Sequence, residues 1–178
     1  MNTTAFKFIR GFAIGAALSA GIAMFTPALL AAETQPSQTT ATFGNWTVRC
    51  QPVSGTGTKA CEMLQAISTT SGTIANLAIG RLPGNQDLRL VVQLPIGVSL
   101  SETVDIEVPG ADVTRATFEA CFPNLCVAQA TLSDDALEAF KASDALTIAF
   151  KDRTKKNVAL KASLNGFSAA YGSMQGDE

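Results

Sequence analysis

Histidine is absent from this 178-residue chain. Its absence removes the usual general base at neutral pH, the Ser-His-Asp and Cys-His arrangements, and the commonest transition-metal ligand. Catalysis would fall to carboxylates, lysines and hydroxyls, and no carboxylate pair stands out among the 15 acidic residues. A cationic surplus is missing too. Two of the 13 basic residues, Lys7 and Arg10, precede position 32 and every acidic residue follows it, which leaves 11 basic against 15 acidic residues, a net −4, in the remainder. A nucleic-acid binder needs a basic face to neutralise phosphates. No nucleic-acid partner, metal or cofactor is therefore expected, and no catalytic residue is assigned.

The one long uncharged run lies at the N-terminus. After Lys7 and Arg10, residues Gly11 to Ala32 carry no charge, and a polar stretch follows. This is the layout of a secretory signal peptide. At about 20 residues the run could also span a bilayer as an uncleaved anchor. The alanine-rich end and the break at Pro27 favour cleavage between Ala28 and Ala32. The expected organisation is a signal peptide over 1–32, a Thr/Gln/Pro/Ser-rich linker over 33–42, one domain over 43–174 and a polar tail over 175–178. Localisation follows as periplasmic or secreted, with membrane contact only through the N-terminal segment if it is retained.

An even number of cysteines in an exported chain implies disulfides. Cys50, Cys61, Cys121 and Cys126 allow three connectivities. The local pairing, Cys50 with Cys61 and Cys121 with Cys126, is favoured because each pair flanks a Gly- or Pro-containing turn. A thioredoxin-like site wants two residues between its cysteines and a helix N-terminus at the first. Here "CFPNLC" has four intervening residues and "CVAQAT" reads as strand. A four-thiolate zinc site would need two closely spaced pairs, and Cys50 to Cys61 is too wide. The stretch reads as a tight reversal at Pro123 and Asn124 whose neck a disulfide closes.

In "GNWTVRC", Trp46, Val48 and Cys50 alternate with polar residues, the period of a half-buried strand. "CEMLQAIS", "TIANLAIGR", "DLRLVVQLP", "TVDIEVPG" and "TRATFEAC" follow, each bounded by Gly, Pro, Asn or Ser. Such spacing predicts a mainly β protein, an antiparallel β-sandwich stapled by two disulfides. One short helix is predicted in "LSDDALEAFKAS", capped by Ser133, with Asp134 and Asp135 in its first turn and Ala136, Leu137 and Phe140 as its apolar stripe. A hairpin then sets Leu146, Ile148 and Phe150 against Val158, Leu160 and Ala162.

That hairpin carries the basic cluster Lys151, Arg153, Lys155, Lys156 and Lys161. Lys151, Arg153, Lys155 and Lys156 are candidates for contact with an anionic surface such as lipopolysaccharide or a sulfated glycan. The plainer reading takes precedence: a solvated turn whose charges discourage edge-to-edge pairing, partly neutralised by Asp152. Trp46 could serve as a ligand platform, but a Trp on an alternating strand reads first as core.

Taken together, "FGNWTVRC", "CEMLQ", "LPIGVSL", "FEACFPNLCVAQATLSDDALEAFKAS" and "SLNGFSAAY" resemble the invasion-associated locus B family of exported bacterial proteins. The resemblance runs from Phe43 to Tyr171 and rests on Trp46, Cys50, Cys61, Pro95, Gly97, Val98, Cys121, Cys126, Gly166 and Phe167. It implies a periplasmic or secreted β-sandwich, linked in pathogens to invasion of host cells, and it supplies no catalytic residues. The leading expectation is an exported, non-enzymatic module with a protein or glycan partner in the envelope or on a host cell. Two others stand beside it: a carboxylate-dependent periplasmic enzyme acting on glycans, and an assembly factor offering a sheet edge to a client.

Overall fold

The alternating segments form ten antiparallel strands in the computed structural model, which describes residues 38–70 and 72–176. The proposed signal segment, 1–32, lies outside the described residues. In chain order the elements are β1 (Thr39–Phe43), β2 (Trp46–Pro52), β3 (Lys59–Thr69), β4 (Gly72–Arg81), β5 (Leu88–Pro95), β6 (Val104–Val108), β7 (Ala111–Cys121), β8 (Leu125–Thr131), α1 (Asp134–Lys141), β9 (Ala145–Lys151), β10 (Asn157–Ser163) and α2 (Phe167–Gly176). Their spatial order is β1-β2-β3-β4-β5-β8-β7-β6-β9-β10.

The long strand β7 makes two layers out of this order. Residues 111–116 pair with β6, whereas 117–121 pair with β8. Register irregularities at Ile106/Glu107 and Phe118/Ala120 accompany the switch, as bulges do where a strand bends between sheets. The result is the expected antiparallel sandwich. Its core takes alternate residues from each strand: Leu88, Leu90, Val92 and Leu94 of β5, Val104, Ile106 and Val108 of β6, and Leu146, Ile148 and Phe150 of β9 are all buried. Each fully buried Leu or Ile stabilises the fold by on the order of 1.5–3 kcal/mol.

α1 is built as the sequence predicts. The Ser133 Oγ accepts from the Ala136 N–H at 3.2 Å, and Ala136, Leu137 and Phe140 face inward. A second helix, α2, departs from the expectation of one. Phe167, Ala170, Tyr171 and Met174 are its buried residues, a regular i, i+3, i+4, i+7 stripe. Gly172, Gly176 and two serines of low helix propensity obscure that stripe in the sequence. β1 is likewise unanticipated, since it starts inside the stretch read as linker. Thr39, Thr40, Ala41 and Thr42 are all exposed, so no burial pattern marks the strand; it forms by pairing with β2.

The two layers are stitched along one seam, where the end of β10 meets β2 and β3. Trp46 Nε1 donates to the Ser163 carbonyl at 3.0 Å, and Gln65 Nε2 donates to the same oxygen at 2.7 Å. The Ser163 N–H returns a bond to Gln65 Oε1 at 3.0 Å. Gln65 is one of only two buried polar residues among those described, and these bonds are what make its burial tolerable. Around it Phe167 meets Trp46 edge-on at 5.2 Å and Phe140 edge-on at 5.7 Å, so that β2, α1 and α2 share one aromatic cluster. Gly166 turns the chain beside this cluster with φ +85°, and a Cβ there would collide with the Phe43 carbonyl oxygen. Only glycine fits that approach.

Candidate functional site

The two disulfides adopt the local connectivity. Cys50 and Cys61 are directly paired across β2 and β3, and both are buried in the core. Cys121 and Cys126 are paired across β7 and β8, where the Phe122 N–H donates to the Leu125 carbonyl at 2.7 Å and closes the turn at Pro123 and Asn124. Both are staples within hairpins.

Antiparallel order turns five connections the same way, and three of them adjoin at one end of the sandwich: β5 to β6, β7 to β8, and β9 to β10. We call this end the rim. The first and third connections interlock through the backbone. Val98 bridges Asp152, the Ser99 N–H donates to the Lys151 carbonyl at 2.8 Å, and the Arg153 N–H donates to the Gly97 carbonyl at 2.8 Å.

Charge is ordered by the same contact. Lys155, with a left-handed φ of 65°, directs its Nζ to Ser99 Oγ at 2.8 Å, Ser101 Oγ at 2.7 Å and Glu102 Oε1 at 3.2 Å. Lys151 Nζ reaches the other oxygen, Glu102 Oε2, at 3.3 Å. Hydrogen bonds from Lys155 and then Lys151, with their charges, hold the Glu102 carboxyl below its ordinary pKa. The Asp152 carboxyl is also lowered, first by the Thr154 hydroxyl at 2.6 Å and then by the Lys156 N–H at 3.0 Å. Among the described residues, neither the Arg153 nor the Lys156 side chain forms a hydrogen bond or ion pair.

The structure thus gathers Lys151, Arg153, Lys155 and Lys156 at the rim. Lys161 lies further along β10 opposite Thr147, roughly 17 Å from Lys156 by strand rise, and does not join them. Glu102, Ser99 and Ser101 were not anticipated as their partners; they stand about 50 residues upstream, and no local pattern links the two segments. Trp46 and Phe167 are core residues, with 0% and 1% exposure.

Apolar side chains are also unevenly placed. Of the four exposed large hydrophobic residues among those described, Ile96, Leu100 and Phe122 sit on rim connections at 57–60% exposure. The fourth, Leu82, follows β4 at the opposite end.

Two shallow depressions carry other ionisable groups. One, of about 340 Å³, is lined by Glu102, Asp105, Glu107, Lys151 and Asn157. Asp105 is tied to Arg115 at 3.2 Å and to the Thr103 hydroxyl at 3.1 Å. The other, of about 250 Å³, crosses the outer face of β3, β4 and β5 over Ala78 and Gly80, beside Arg89. No group of three or more His, Cys, Asp or Glu residues able to hold a metal ion occurs among the described residues.

Comparison with known proteins identifies the architecture. The model of the invasion associated locus B protein family matches residues 46–175. The crystal structure of invasion associated protein B from Bartonella henselae superposes with a TM-score of 0.69 at 20% sequence identity, covering 78% of this chain and 95% of that one. No curated protein sequence matches the chain.

Proposed function

The chain belongs to the invasion associated locus B family, and from that premise we propose that it is an exported, non-enzymatic module of the cell envelope or secretome that makes contact, through its rim, with a component of the envelope or of a host-cell surface. The observation that carries this reading is the rim itself. It presents four cations and three exposed apolar side chains on a frame of interlocked connections, the composition of an adhesive surface. Export is supported by the N-terminal sequence layout and by two disulfides, which persist in oxidising compartments. A role in contact with host cells rests on the family's name alone.

A second reading draws on the depression lined by Glu102, Asp105 and Glu107, where carboxylates could act on a glycan. A general acid must hold its proton near neutral pH. The lysine clamp acts against this by keeping Glu102 ionised, and Asp105 is engaged by Arg115. Turnover of a glycan panel that disappears in Glu107→Gln would establish this reading over the first.

The binding reading is tested in living cells by photo-crosslinking from position 100, with position 82 as the control, followed by mass spectrometry and N-terminal sequencing. Crosslinks specific to position 100 on a processed chain are expected. An intact Met1 in the cytoplasmic fraction with reduced cysteines would remove the export reading.

A further inference from the structure

The rim's apolar and cationic side chains occur in one place, and their arrangement narrows what they meet. Pro95 pairs with Leu125, so Ile96 leaves the sheet beside the turn that carries Phe122. Leu100 follows Ser99, whose hydroxyl takes the Lys155 ammonium and whose N–H is bound to Lys151. The apolar side chains therefore stand on the tips of two adjoining connections, with Lys151, Arg153, Lys155 and Lys156 on the third connection beside them. Neither 96–101 nor 122–129 contains an acidic residue. Glu102 and Asp152 are the acidic residues within the interlocked turn, and both are engaged by it. A chain of net charge −2 thus carries a locally cationic end.

We propose that the rim docks on an anionic phospholipid bilayer, with Ile96, Leu100 and Phe122 entering the headgroup boundary and Arg153 and Lys156 pairing with lipid phosphates. This deepens the reading of the rim as a contact surface and rests on it. A sulfated glycan would be served by the cations alone and would leave the aliphatic tips without a role. A docked protein helix would want a groove and a docked strand an open sheet edge, whereas these side chains project from turns. Apolar tips flanked by exposed cations match a lipid interface, where burial of apolar groups and attraction to anionic headgroups act together. Lys155 and Lys151 are tied to Glu102, and the Lys156 charge acts on Asp152 without a hydrogen bond to it, which leaves Arg153 and Lys156 as the cations whose side chains make no hydrogen bond or ion pair. No helix among the described residues is long and apolar enough to cross a membrane.

The test places a fluorophore at the rim. Phe122→Trp and, as a control at the opposite end, Leu82→Trp are purified from producing cells in whatever form the cells retain. Each is titrated with vesicles of phosphatidylglycerol and phosphatidylethanolamine, or of phosphatidylcholine alone, containing brominated acyl chains. The native Trp46 is buried and serves as a constant background. The expected result is quenching of Phe122→Trp by the anionic vesicles only and none of Leu82→Trp. Adding Arg153→Ala and Lys156→Ala should weaken that response about 30-fold, the effect of two cations at an anionic surface, and raised salt should weaken it in the same direction. Absence of quenching by anionic vesicles, equal quenching at position 82, or equal response to phosphatidylcholine would each overturn the proposal. So would a dimer, seen by sedimentation, that Leu100→Ser dissociates, because a second copy would then cover the rim. Co-sedimentation of the unsubstituted chain with the same vesicles guards against a folding defect in Phe122→Trp. N-terminal sequencing of the same preparation reports on export separately, so either reading can fail while the other stands.

Discussion

At the seam, Trp46, Gln65 and the Ser163 backbone meet with every polar group bonded and the aromatic rings of Phe167 and Phe140 packed around them. At the rim, Ile96, Leu100 and Phe122 stand more than half exposed, and the polar groups that are satisfied hold the loops to one another rather than to the core. Both regions join segments distant in sequence through backbone and side-chain hydrogen bonds. The seam places its large apolar groups inside, where they stabilise the fold; the rim leaves its own outside, where they contribute little to folding and are free to meet something else. The division predicts that substitutions at the seam act on stability and those at the rim on contact.

The strongest way to break that division is to remove the ring at the centre of the seam. Trp46→Ala loses a fully buried indole and its bond to Ser163, and should lower unfolding free energy by about 3–5 kcal/mol. Leu100→Ser, at the rim, should change it by under about 0.5 kcal/mol. Denaturant titration of both variants makes the measurement, and similar losses from the two would erase the distinction between the regions.

The disulfides sharpen the comparison, because one lies in the core and the other closes the rim turn that carries Phe122. In the chain-entropy account, Cys50→Ser with Cys61→Ser should cost about 3 kcal/mol and Cys121→Ser with Cys126→Ser about 2 kcal/mol. The hydroxyls introduced at the buried pair would add to its loss. Thermal melting of the two double variants should therefore rank the core pair as the more damaging. Recovery of a Cys50 to Cys121 peptide in an unreduced digest would contradict the connectivity itself.

The smallest expected effect concerns Glu102. Its folded pKa lies below the ordinary carboxylate value of 4.5. A depressed carboxyl contributes stability that is present above that ordinary value and is lost as pH falls through the folded pKa. Melting temperatures of the native chain and Glu102→Gln should differ slightly at neutral pH and converge as the pH falls through the folded pKa. The rim position of the carboxylate, in contact with water, keeps the difference small.

Much of this was legible from the chain alone, for reasons that can be stated residue by residue. Period-two alternation exposed β2, β5, β6 and β9 because one face of each is buried, and Ser133 with Asp134 and Asp135 exposed α1 because an N-terminus needs an acceptor and favours negative charge. β1 left no trace, since its residues face solvent and its strand conformation is owed to β2. α2 was hidden by glycine and serine although its buried stripe is regular. The basic cluster was visible as composition, but Lys161 belonged to a different stretch of surface, and the apolar partners Ile96, Leu100 and Phe122 could not be grouped with it.

What the sequence by itself determined was whatever is encoded within a few residues: strand alternation, the helix cap, the turn at Pro123 and Asn124, and cysteine pairs close enough to bridge a single hairpin. What only the tertiary structure decided was which distant segments share a surface. The Gln65 to Ser163 bonds span 98 residues and the Lys155 to Glu102 contact spans 53. No local propensity specifies such pairs. They arise because β7 passes from one sheet to the other, which folds the chain so that β10 returns to β2 and β3 and the turns after β5, β7 and β9 come together at one end.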